Sequence, residues 1–70
     1  MKALTFKTSI KSEKDALNIA NLLQNYFTLK RADFELSERS SVLYVEGKNL
    51  IPKKIKQAIQ LFGHRCRLLL

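Results

Sequence analysis

The stretch Leu29–Gly47, "LKRADFELSERSSVLYVEG", holds two short alternating runs on either side of a polar middle. In the first run Ala32, Phe34 and Leu36 fall on one side, and Asp33 and Glu35 on the other. The second, "VLYVEG" at 42–47, is rich in β-branched and aromatic residues, with Leu43 and Val45 on the apolar side and Tyr44 and Glu46 opposite. A period of two with this composition is the signature of strands buried on one face. The polar "SERSS" at 37–41 joins them, so the stretch predicts an antiparallel hairpin with a single apolar face.

On both sides of this hairpin the period changes. Upstream, Ala16, Ile19, Ala20, Leu23 and Phe27 recur at three- and four-residue intervals and predict a helix over 13–27 with one apolar stripe. Ahead of it, Leu4, Phe6, Thr8 and Ile10 alternate with Thr5, Lys7 and Ser9, which predicts a first strand. Downstream, Gly47 and Asn49 mark a turn, Pro52 suits the first turn of a helix, and Ile55, Ala58, Ile59 and Phe62 form a second stripe that stops near Gly63. "RCRLLL" at 65–70 reads as a short last strand.

The order is therefore βαββαβ. Two helices with one apolar stripe each are buried together only on one face of a four-stranded antiparallel sheet, the ferredoxin-like α+β sandwich. Phe6, Leu23, Leu43, Val45, Ile55, Ile59 and Phe62 are expected to meet in one core. Seventy residues make a single domain over 1–70, of a size that hides only about 60% of its unfolded surface.

Thirteen Lys and Arg against six Asp and Glu give a net charge of +7, a field that favours anionic partners. No basic run exceeds two residues. Cys66 is the only cysteine, so an intrachain disulfide and a four-thiolate zinc site are both excluded, and a reducing compartment is expected. No stretch has the apolar core of a signal peptide or the ~20 apolar residues of a membrane span. The expectation is a cytoplasmic protein without a membrane partner.

Ser12 and Asp15 stand three residues apart where the first strand meets the first helix. Ser12 is expected to cap the helix by accepting from the backbone N–H of residue 15, while Asp15 reaches back and favours the helix dipole. The order of elements, with "FKTSI" ending the first strand, "VLYVEG" on the third, "LIPKKI" opening the second helix and "AIQLFGH" ending it, resembles the heavy-metal-associated domain of copper chaperones and metal-transporting P-type ATPases.

In that family the loop after the first strand carries Cys-x-x-Cys, two soft thiolates that hold and pass on Cu(I). Here those positions fall on Ser12 and Asp15, so the resemblance implies the fold without its Cu(I) transfer. It also places His64, the residue after the helix-ending glycine, near the same loop. Ser12, Glu13, Asp15 and His64 would then suit zinc, nickel or another borderline to hard cation. Cys66, two residues after His64, is expected in the core, and no cofactor is expected.

Catalytic motifs are absent from the sequence: there is no G-x-S-x-G, glycine-rich phosphate loop or H-E-x-x-H, and an enzyme is not expected. The same chain order builds RNA-recognition modules, yet Tyr44 is the one aromatic expected on the open sheet face, among Asp33, Glu35 and Glu46. Sequence-specific RNA recognition is not expected; electrostatic nucleic-acid binding stays an alternative. Lys53, Lys54 and Lys56 crowd the start of the second helix, where the dipole is already positive. The chain is expected to be a non-catalytic binding or interaction module, and these lysines are its candidate surface for an acidic protein or nucleic acid.

Overall fold

The computed structural model describes residues 2–69 and contains β1 (Lys2–Thr8), α1 (Glu13–Tyr26), β2 (Arg31–Leu36), β3 (Ser41–Gly47), α2 (Pro52–Leu61) and β4 (Cys66–Leu69). The strands form one antiparallel sheet in the order β2-β3-β1-β4. With two helices in the βαββαβ order, this is the ferredoxin-like arrangement. Leu70, expected in the last strand, lies outside the described residues.

The register explains the core. Phe6 pairs with Leu43 on one side and Leu68 on the other, and Leu43 pairs with Phe34, so large apolar residues line up across the sheet beneath the helices. Phe6, Leu43, Val45, Leu23, Ile55 and Ile59 are all buried, joined by Ile10, Leu29 and Leu50 from the connections. Two polar side chains are buried with them: Thr8 and Ser41 pair across β1 and β3, their hydroxyls 2.7 Å apart. Each is satisfied by the other, so burial leaves neither without a partner.

Local chemistry sets the ends of the elements. β1 stops at Thr8 rather than at Ile10, because the Thr8 hydroxyl accepts from the Ile10 N–H (3.3 Å) and turns the chain; Ile10 stays buried beyond the strand. α1 ends at Tyr26, one residue earlier than the periodicity predicts. The Leu29 N–H folds back to the Gln24 carbonyl (3.1 Å) with Thr28 in the left-handed region at φ 52°. Leu29 is consequently buried in this turn and not part of β2.

α2 opens with Pro52 in its first turn and no side-chain cap. It closes at Gly63, φ 86°, where the Gly63 and His64 N–H groups donate to the Gln60 and Ile59 carbonyls (3.0 and 3.3 Å), the Schellman pattern that needs a left-handed residue.

One expected core residue is not in the core: Phe62 is 45% exposed. Its N–H donates to the Ile59 carbonyl, three residues back (3.1 Å). Phe62 is the C-cap residue, one position past the end of α2 at Leu61, so the helical spacing that set it on the Ile55–Ile59 stripe no longer fixes its direction. No helix among the described residues is long and apolar enough to cross a membrane.

Candidate functional site

Two places compete for function. The first is the loop after β1. Ser12 has an extended backbone and its Oγ accepts from the Asp15 N–H at 3.4 Å, as a cap should. The reciprocal bond from the Ser12 N–H to the Asp15 carboxylate is not made among the described residues, so the cap is single and long. Glu13 and Asp15 still lie in the first turn, where their charge favours the dipole.

The turn carrying His64 does come beside this loop. The Ser9 N–H donates to the Arg65 carbonyl (3.0 Å) and the Arg65 N–H donates to the Ser9 hydroxyl (2.8 Å). His64 is half-buried, and Ser12, Glu13 and Asp15 are exposed. Among the described residues no three His, Cys, Asp or Glu side chains converge on a common point. The structure therefore brings the two loops together without gathering Glu13, Asp15 and His64 into one ligand set.

Cys66 pairs with Thr8 and is buried, as the sequence suggests. Burial pushes its thiol from about 9 up to about 11, partly offset by the charge of Lys56. A thiol that holds its proton is a poor nucleophile and a poor metal ligand at neutral pH.

The second place is the outer side of the helices. A groove of about 600 Å³ runs along α2 from Ile51 to Phe62, with Tyr26 and Phe27 from the end of α1 in its wall. Four of the seven large apolar side chains that stand exposed among the described residues line it: Tyr26 (82%), Ile51 (48%), Leu61 (86%) and Phe62 (45%). Isolated exposed apolar residues are ordinary; here four of them converge on one concavity.

The charge around this groove has one sign. Lys54 lines it, and the adjoining cavity, which shares Phe27, Asn49 and Leu50 with it, is lined by Lys30 and Lys48. Neither lining includes an Asp or Glu. Beyond Glu46 the chain carries Lys48, Lys53, Lys54, Lys56, Arg65 and Arg67 and no acidic residue at all.

Lys53, Lys54 and Lys56 do not make a single patch. At about 100° per residue, Lys54 and Lys56 stand about 200° apart around α2. Lys54 faces the groove, while Lys56 is near enough to Cys66 to favour its thiolate. The sequence reading missed Tyr26, Ile51 and Leu61. The signal was present in α2, whose apolar residues at 51, 55, 58, 59, 61 and 62 cover a wider arc than one sheet-facing stripe requires.

The open sheet face differs from both places. Arg31 donates from Nε to Asp33, its guanidinium sits 5.8 Å from the centre of the Tyr44 ring, and the Tyr44 hydroxyl donates to Glu46 Oε1 at 2.6 Å. The hydrogen bond to Glu46, with burial and the Glu46 charge behind it, holds the Tyr44 phenol above its ordinary range. Set against family models, curated proteins and solved structures, the chain matches none of them.

Proposed function

We propose that this chain is a non-catalytic interaction module that binds an acidic protein through the outer side of its helices, on a fold like that of heavy-metal-associated domains but without their Cu(I) transfer. One observation carries the reading: the exposed apolar side chains converge on a groove whose charged neighbours are all lysines. Apolar contact supplies affinity there, and Lys54, Lys30 and Lys48 select for acidic partners and speed encounter.

The donor set speaks for the loss of Cu(I) chemistry. Ser12 and Asp15 offer hard oxygens, and the chain's one thiol is buried and protonated. Purified protein should not retain Cu(I) against a competing thiol chelator. A reducing, cytoplasmic setting suits a domain with a single buried cysteine.

Fluorescence anisotropy with a labelled peptide built of Glu, Asp and Leu, run beside a single-stranded oligonucleotide of equal formal charge, tests the proposal. The peptide should bind, weaken with salt and lose affinity in Lys54→Glu. Binding of the oligonucleotide alone, or peptide affinity indifferent to Lys54→Glu, would reject an acidic protein as the partner.

A further inference from the structure

We infer that the partner enters this groove as an amphipathic α-helix with acidic residues flanking its apolar stripe, packed as a third helix against α2. The inference rests on the reading of the chain as an interaction module and names what that module recognises.

Three observations point to a helix. The first is length: Ile51 to Phe62 spans about 16 Å along α2, so the groove accommodates roughly three turns of a helix lying alongside. The second is the pattern of its floor. Lys54, Gln57, Ala58 and Leu61 all line it and are spaced i, i+3, i+4 and i+7, the four positions that form the hole for a knob from a facing helix.

The third is shape at the rim of that hole. Ala58, one of the four residues around it, is small and half-buried, so a facing backbone can approach on that side and seat a Leu-sized side chain. An extended peptide would present side chains with a period of two and would not match this spacing.

Charge selects among occupants. A second copy of this chain using the same groove would bring Lys54, Lys30 and Lys48 against their equivalents, which costs free energy. An anionic membrane would satisfy the lysines, but a flat lipid surface leaves a concavity of about 600 Å³ unfilled. A helix bearing Glu or Asp beside its apolar residues satisfies both the charge and the recess.

The test is a display selection against the intact protein, run in parallel with a library of randomised residues on a stable helical scaffold and a library of linear peptides. The helical library should enrich binders with apolar residues at i, i+3 or i+4, and i+7 and with acidic flanks. Binding should fall at least tenfold in Leu61→Asp, whose side chain is exposed and dispensable to the fold, and in Ala58→Leu, which fills the hole.

Enrichment only from the linear library, or helical binders indifferent to Leu61→Asp, would overturn the helix-in-groove inference while leaving the interaction module standing. Failure of both libraries to enrich would overturn the module itself. Leu61-dependent association with phosphatidylserine vesicles, without helical binders, would assign the groove to a membrane surface instead.

Discussion

The two outer faces of this sandwich follow from the same amphipathic patterning and end in opposite states. On the open sheet face, alternation has delivered Arg31, Asp33, Tyr44 and Glu46, and these groups partner one another across β2 and β3. On the helical face, Tyr26, Ile51, Leu61 and Phe62 stand exposed around a groove lined by Lys54 and by no carboxylate, with Lys30 and Lys48 in the adjoining cavity. A new partner on the sheet face must compete with interactions already made. On the helical face it gains by covering apolar surface, at about 25 cal/mol per Å².

The largest effect that would break this contrast concerns two phenylalanines. Phe6 is fully buried, and Phe6→Ala should cost about 3–5 kcal/mol in chemical denaturation, most of the stability of so small a domain. Phe62→Ala should cost no more than about 1 kcal/mol, because much of that side chain already meets solvent. Equal losses at the two positions would place the helical face in the core and remove it as a binding surface.

Next in size is a pH effect on the covered side of the sheet. The folded Cys66 thiol keeps its proton between about 9 and about 11, where the unfolded thiol has lost its own. Its contribution is therefore complete below about pH 9 and lost as pH rises to about 11, by up to about 2 kcal/mol. Denaturation curves of the wild type and Cys66→Ala should converge over that window. Parallel curves would mean that Cys66 is open to solvent.

Thr28 sharpens the contrast at the end of α1. A β-branched residue at φ 52° is strained, and Thr28→Gly should raise stability by about 0.5–1 kcal/mol, read by thermal unfolding. A loss on substitution would show that the threonine side chain holds the turn that presents Tyr26. The smallest effect belongs to the loop after β1: with a cap bond of 3.4 Å, Ser12→Ala should cost only about 0.5 kcal/mol. A cost of several times that would give the loop a role beyond capping.

The sheet and both helices were legible in the sequence because period two and period 3.6 separate cleanly in Leu4–Thr8, Ala32–Leu36 and Ala16–Leu23. What escaped was decided by tertiary detail at element ends. Phe62 lies on the α2 stripe by spacing, but the helix ends at Leu61 and leaves Phe62 at its C-cap, 45% exposed. The Thr8–Ser41 pair looks like two ordinary polar residues until the register sets them face to face.

The site was less legible than the fold. Lys54 was identifiable by charge, but its separation from Lys56 follows from the helix geometry. The groove itself requires Tyr26 and Leu61, distant in sequence, to line one concavity. The turn that carries His64 is tied to the loop after β1 by the two bonds between Ser9 and Arg65, which link residues far apart in sequence.

The most direct measurement is a two-dimensional NMR titration with a helical binder from the selection. Shifts confined to Tyr26, Ile51, Lys54, Ala58, Leu61 and Phe62, with Thr5, Val42 and Tyr44 unmoved, are the result expected if the helical face is the binding surface. Shifts centred on Thr5, Val42 and Tyr44, with the groove residues unmoved, would contradict it.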